Sequence, residues 1–369
     1  MKLMDNQGFC GSYRPGDVDF LLKRLAQQPF VDIEQKEQLI QSGQRHYSEM
    51  LAPEALPSSR YLKIFKDAYA ANRQQMAADC LALASLIAAR RGASITLVSL
   101  VRAGTPVGVI LQHLLRRVMG RQVAHYSVSI IRDRGIDAVA LRHILAQGHA
   151  PESIVFIDGW TGKGVISRVL AQAVADFNQR DEVLIDAGLY VLSDLAGTAA
   201  CAASTVDYLI PSSILNATIS GLVSRSVLNE SIGPDDFHGC VYYDGFAPHD
   251  LSREFADGLI ADGVALAARN GMPDMAAIDR AAVAAVSTEF LQAVMLQHGI
   301  SDVNLVKPGI GEATRVLLRR VPRLLMLRNP DAPDVAHLKM LATEKSVPII
   351  VDSNLPYQAV SLIRSALDG

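Results

Sequence analysis

Short apolar runs alternate with helical periodicities through the middle of the chain. Ile95 to Val101 reads as a buried strand, and Pro106 opens a helix running to about Met119. Val123 to Ile131 is the next strand, followed by a helix over Ala138 to Gln147. A short apolar run from Ser153 to Ile157 comes before a helix from Gly164 through Phe177. Val183 to Leu192 and Tyr208 to Ile210 supply two more strands. This alternation predicts an α/β fold, a mostly parallel sheet with helices on both faces.

The flanks read differently. The first 60 residues look like a cover, with a turn-rich Gly11 to Gly16, Asp17 as N-cap for a helix over Val18 to Leu25, and breaks at Pro53 and Pro57. Tyr61 to Arg91 carries a long helical pattern, and Gly92 stands where a C-cap glycine belongs. Leu251 to Gln297 is alanine-rich and helical, interrupted at Gly271-Met272-Pro273. A second β/α pattern follows. Its strands are Val303 to Val306, Leu324 to Leu327 and Val347 to Val351, with helices over Glu312 to Arg320, Asp334 to Glu344 and Tyr357 to Leu367. The expected division is a cover over 1–60, a main domain over 61–272, and a small α/β domain with a helical lead-in over 273–369.

Composition narrows the classes. Of 369 residues, 50% are apolar and 20% charged, which is globular and excludes disorder. Lys and Arg total 35 against 38 for Asp and Glu, so the net charge of -3 excludes a globally basic nucleic-acid binder but not a local basic patch. Cys10, Cys80, Cys201 and Cys240 contain no CxxC pair, which excludes a disulfide framework and an all-cysteine zinc site. Cys80 to Ala89 is too short to span a membrane, and the opening MKLMDNQGFC has no apolar core of a signal peptide. The expected location is the cytoplasm.

The most informative segment is Ile154-Val155-Phe156-Ile157-Asp158-Gly159-Trp160-Thr161-Gly162-Lys163-Gly164. Four apolar residues form a strand, an acid follows at its carboxyl end, and a Gly-rich loop leads into a helix. Parallel sheets bind ligands at the carboxyl ends of their strands. Glycines let backbone N–H groups converge on an anion, and the helix N-terminus adds positive potential there. The loop is not a Walker A motif, because Gly164 stands where a hydroxyl would follow the lysine. Packing alone also builds tight turns of this kind.

The segment resembles the phosphoribosyl diphosphate (PRPP) signature of type I phosphoribosyltransferases, with Gly159 replacing the second acid and Gly164 the last hydroxyl. That resemblance implies a type I phosphoribosyltransferase-like sheet and PRPP contacts from Asp158, Gly159, Thr161, Gly162, Lys163 and Gly164. Ser99 to Gly108 again runs strand, loop, helix and looks like the diphosphate loop of the same enzymes. Ala103, Gly104 and Thr105, with Arg102 as the phosphate fork, would hold the leaving group. Arg132 and Arg134 lie in the charged turn Ile131 to Asp137, either as a closing loop or as a plain solvated turn. The implied chemistry displaces diphosphate at the anomeric carbon, with Mg2+ and arginines stabilising the leaving group. Asp158, Arg102, Arg132 and Arg134 are then the catalytic candidates.

As a whole, the chain is similar to the bacterial StiP-type family. The likeness is carried by Gly11 to Lys23, by Asp158 to Gly164 and by His238-Gly239-Cys240-Val241-Tyr242-Tyr243. It implies a phosphoribosyltransferase-like domain joined to a C-terminal PELOTA-type RNA-binding domain, associated with tellurite-resistance stress operons. The family also carries the name cysteine protease, but the residues argue against a thiol nucleophile. Cys240 follows His238 by two positions on one strand face without reaching it, and no helix starts after it. Cys10 sits in an exposed turn, while Cys80 and Cys201 lie in alanine-rich segments that read as core. His238 and His249 have no metal-ligand spacing, so no metal site is expected in the protein itself. Asp244 and Asp250 read as solvated loop residues.

Residues 305 to 329 hold six cations, Lys307, Arg315, Arg319, Arg320, Arg323 and Arg328, against the single acid Glu312. Such an excess is a footprint for phosphates or a solvated helix face. The stretch resembles the PELOTA and kink-turn-binding superfamily, whose loop reads roughly GxNExTK, with Gly311 replacing the Asn. That likeness implies RNA contacts from Lys307, Gly309, Gly311, Glu312, Thr314, Arg315 and Arg319, recognising shape and backbone. The expectation is therefore a PRPP-dependent phosphoribosyltransferase acting on an unnamed base-like acceptor, with an RNA-binding module and compatible with a homodimer. The alternatives are a non-catalytic nucleotide or RNA sensor, and a cysteine protease.

Overall fold

The computed structural model describes residues 8–26, 35, 38–40, 42–51, 54–273 and 277–364. Pro53 and the end of the helix expected up to Leu367 lie outside the described residues. The larger unit is built on a six-stranded sheet, and its strands come in the order β1 (Asp19–Leu21), β2 (Lys23–Arg24), β3 (Ser94–Leu100), β4 (Gln122–Val128), β5 (Ile130–Ile131), β6 (Gly135–Ile136), β7 (Ile154–Thr161), β8 (Leu189–Asp194), β9 (Cys201–Ser204) and β10 (Gly239–Cys240). The sheet order is β1-β4-β3-β7-β8-β9, and every pairing in it is parallel. Successive side chains of the central strands enter opposite cores, as a strand's two-residue period requires. Ile95, Leu97, Val155, Ile157, Tyr190 and Leu192 enter one core, whereas Val98, Leu100, Ile154, Phe156, Leu189 and Val191 enter the other. That is why these strands read as unbroken apolar runs.

Helices cover both faces. The first core receives α1 (Ser59–Arg90), α2 (Gly104–Arg117) and, further along the chain, a helix over Ser252–Asn270; the second receives α3 (Ala138–Ala146) and α4 (Val165–Asp181). Ser58 caps α1, its hydroxyl accepting the Tyr61 N–H at 3.3 Å. Each fully buried Leu, Ile or Phe contributes roughly 1.5–3 kcal/mol, so this two-sided burial fixes the sheet that carries the loops above it.

The smaller unit follows α5 (Ser252–Asn270) and α6 (Arg280–Gln297). It comprises β11 (Val306–Pro308), α7 (Ile310–Arg319), β12 (Pro322–Leu327), α8 (Ala336–Glu344), β13 (Ile349–Val351) and β14 (Ala359–Ile363), in the sheet order β11-β14-β12-β13. Strand β14 is antiparallel to both β11 and β12, while β12 and β13 are parallel.

Several local expectations are corrected. Residues 18–25 contain two short strands, not a helix: Val18, Phe20 and Leu22 enter one core and Leu21 the other, and β1 completes the sheet edge beside β4. The opening segment is thus part of the core. Asp17 does not cap a helix; it accepts the Arg14 N–H and pairs with His113 at 2.9 Å. Arg91 leaves α1 extended, and Gly92 is not left-handed. Residues 208–210 are not a strand, and Cys201–Ser204 supplies the last one instead. The segment expected as a helix from Tyr357 contains β14, whose five residues are all buried at the centre of the small sheet.

Candidate functional site

A cavity of about 810 Å³ opens at the carboxyl ends of β3 and β7. One wall comes from the large unit (Arg102, Arg132, Asp158 and the α4 entrance), one from the small unit (Lys307, Glu312, Arg315, Arg320), and one from Tyr47, Glu54 and Tyr61. Among the described residues, seven cations line it against three acids. The volume is that of a small-molecule site.

The glycine loop is shorter than its sequence suggested. Strand β7 continues to Thr161, so Asp158 lies within the strand and only residues 162–164 turn into α4. Asp158 Oδ1 accepts the Gly159 N–H at 2.8 Å, and burial lifts its pKa to about 6 against the pull of Arg315. The Thr161 hydroxyl donates to Asp194 rather than into the cavity. Gly164 is left-handed, and a side chain there would collide with Thr198.

Lys163 reaches across to the small unit, donating to the Val303 carbonyl at 2.6 Å. Burial, reinforced by Lys307, lowers its pKa to about 7. Lys307 is itself lowered by burial and stands 3.8 Å from Glu312. Burial opposes the charge of Glu312, yet Arg315, Lys307 and Lys163 hold its pKa below the ordinary value. Arg315 pairs with Glu312 at 2.9 Å and lies 4.4 Å over the Trp160 ring. Arg102 donates to Glu54 at 2.6 Å and to the Val223 carbonyl at 3.3 Å. Arg132 stands over Tyr47, whose hydroxyl accepts the Arg132 N–H at 2.7 Å.

The expected site residues therefore divide. Arg102, Arg132, Asp158, Thr161, Gly162, Lys163 and Gly164 line the cavity, together with Lys307, Glu312 and Arg315 from the RNA set. Ala103, Gly104, Thr105 and Gly159 do not line it: Gly104 packs on the Ile157 carbonyl, and Thr105 bonds Ser127 in the core. Arg134 pairs with Glu49. Gly309 and Gly311 pack against Leu195 and Trp160, and Thr314 is buried on His337. The Arg319 side chain lies outside the described residues. Sequence reasoning missed Glu54, Tyr47 and Arg225, because none sits in a motif and only tertiary folding brings them to the cavity.

Among the described residues, no cysteine or histidine lines this cavity. Cys80, Cys201 and Cys240 are buried, and burial raises each thiol, that of Cys240 to about 12. Cys10 is only partly buried; burial and then Asp19 raise its pKa, while Arg253 opposes them. Among the described residues, the hydrogen bonds of the histidine rings go to hydroxyls, a carboxylate and backbone groups and none to a thiol, and His238 is committed to the Ser129 hydroxyl at 2.7 Å. No group of three or more potential metal ligands occurs among the described residues.

A parallel α/β unit whose strand ends open on a cationic cleft, closed by a small mixed-sheet unit, defines a two-part α/β protein with a ligand-binding cleft. Comparison with known proteins makes the assignment specific. The chain belongs to the StiP family: residues 11–260 match the family described as tellurite-like stress resistance cysteine protease StiP. Residues 285–365 match the PELOTA RNA binding domain. Cysteine protease StiP of Acinetobacter baylyi is 40% identical over 380 residues, covering 100% of this chain and 97% of that protein.

These matches overturn the expectation of a PRPP-dependent, Mg2+-assisted phosphoribosyltransferase, since family and relative are both described as cysteine proteases. They equally overturn the sequence argument against a thiol enzyme. The error has a physical origin: an apolar strand, a glycine turn and a helix make a generic anion cradle that does not specify a reaction. No helix among the described residues is long and apolar enough to cross a membrane.

Proposed function

We propose that this chain is a cysteine peptidase of the kind its relative is named for, with Cys10 as nucleophile. The observation that carries the assignment is accessibility: of the four thiols, Cys10 alone is not buried, in a left-handed turn at Gly11. Its thiolate would attack a peptide carbonyl, expel the amine and leave a thioester for water to cleave. As the site stands, Cys10 is held protonated by burial and by Asp19, so the substrate complex must supply the base or relieve that burial. Hydrolysis of a generic protein substrate tests the assignment. Cys10→Ala should abolish it and Cys201→Ala should not; full activity in Cys10→Ala would refute the proposal.

A second reading is favoured by the cation-rich cleft and the PELOTA match: binding of a nucleotide or RNA without turnover. On this view the scaffold is phosphoribosyltransferase-like in fold only, working in a cytoplasmic stress response.

A further inference from the structure

Among the described residues, one edge of the two main sheets is left open. Strand β13 ends the small sheet beyond β12, and Ile349, Ile350 and Val351 are exposed at 37%, 43% and 55%. The opposite edge is closed: Val306 and Pro308 of β11 are buried, and Lys307 faces the cleft. In the large sheet, no residue of the edge strands β1 and β9 is exposed. Soluble proteins blunt a free edge with charged side chains or a cover. β13 carries only apolar side chains, and they stand in water.

The backbone of that edge has a defined phase. The Leu325 N–H donates to the Pro348 carbonyl and the Asp352 N–H to the Leu327 carbonyl, both at 3.0 Å. Alternate residues of a strand turn their backbone groups to alternate sides, so Pro348, Ile350 and Asp352 serve β12 while Ile349 and Val351 face the open side. The flanks of the strand carry opposite charge. Lys345 stands in the turn leading into β13, and Asp352 follows its last residue. Glu344, beside Lys345, pairs with Arg60 of α1, which leaves the entering end positive and the leaving end negative. A parallel neighbour of the same sequence would set like charges together; an antiparallel one sets Lys345 toward Asp352 at both ends.

We propose that β13 is the contact of a two-fold dimer of this chain, pairing antiparallel with β13 of a second copy and joining the two four-stranded sheets into one. With Ile350 on the axis, Ile349 of each copy lies opposite Val351 of the other, and each such pair exchanges two backbone hydrogen bonds. One patch serves both partners, and because β11 is closed the assembly stops at two. Three residues a side make a small interface, so the dimer forms and dissociates with concentration. β13 does not line the cleft, and the inference is independent of both functional readings above.

The test is sedimentation velocity of the full chain from about 1 to about 200 μM, where a reversible monomer–dimer equilibrium is expected. Ile350→Lys sets two ammonium groups face to face across the axis and should weaken the dimer about tenfold or more. The residue is exposed, so circular dichroism of the variant should match wild type. Disulfide trapping reads the register without relying on that variant. In a Cys10→Ala background, Ile350→Cys should cross-link to its counterpart on oxidation, the two Cα atoms lying about 4.5 Å apart. Ser353→Cys, displaced from the axis, should not. A chain monomeric at every concentration would overturn the proposal, as would a dimer that Ile350→Lys leaves intact, growth into open-ended oligomers, or equal trapping at both positions. A monomer that takes up an added extended apolar peptide in place of a second copy would overturn it too.

Discussion

Asp207 caps a helix that belongs to the other unit: its Oδ1 accepts the Ile310 N–H, the first of α7, at 2.9 Å. Gly309, the residue at the cap position, has no side chain to do this, and the second Asp207 oxygen accepts the Gln358 N–H at 2.8 Å. One carboxylate thus satisfies the start of α7 and anchors the approach to β14. Asp207→Ala should lower stability by about 1–2 kcal/mol and speed proteolysis of the small unit. Denaturant titration and timed digestion read the two effects, and an unchanged midpoint would remove the capping role.

Burial raises the Asp207 pKa to about 6. A carboxyl raised above its unfolded value contributes stability at pH below that value, and the contribution is lost as pH rises through 6. The wild type should therefore lose more stability between pH 4 and pH 6.5 than Asp207→Asn does. Parallel unfolding curves at the two pH values measure the difference.

Lys163 titrates in the opposite sense. Its pKa falls to about 7 through burial and Lys307, with Glu312 and Asp302 pulling upward and Arg132 downward. Anion binding in the cleft should weaken as pH climbs from 6 to 8.5, because the ammonium is lost. Diphosphate affinity that stays flat over this range in the wild type would contradict that assignment.

Trp160 is the one tryptophan of the chain, and Arg315 stacks on it from the small unit. Arg315→Ala should cost roughly 1 kcal/mol and shift the tryptophan emission to longer wavelength as water reaches the ring. Fluorescence of the folded variant reports this directly, and an emission spectrum matching wild type would show that the ring stays covered without the arginine.

Thiol exposure gives a further check. Iodoacetamide should modify Cys10 first in the native protein, with Cys80, Cys201 and Cys240 reacting only after denaturation. Peptide mass mapping over a time course distinguishes the four. Early labelling of Cys240 would mean that the strand carrying it opens readily.

Central elements were legible because their apolar runs have one physical cause. Strands β3 and β7 are buried on both faces, so Ile95 to Leu100 and Ile154 to Ile157 announce themselves. Edge and exit strands were not. β1 and β14 are short, and their neighbours in space are remote in sequence, so helix-like spacing at Val18 and Tyr357 outweighed an alternation that only tertiary pairing reveals. The same limit governs the cleft. Lys163, Asp158 and Arg102 lie beside strand ends where ligand residues are looked for, whereas Arg225 and Glu54 carry no local mark. The RNA-type loop was visible as Gly309 to Arg315, but nothing in its spacing told that it faces Trp160 and Gly162 of the large unit.

Strand β1 also has a bearing on how the chain is made. Its partner, β4, leaves the ribosome about a hundred residues later, with Asp19 opposite Tyr126. Until then the N-terminal segment has no place to dock, and Phe20 and Leu22 are apolar surface awaiting cover. Synthesis thus passes through a stage at which the leading end is sticky, a natural point for a chaperone to hold it.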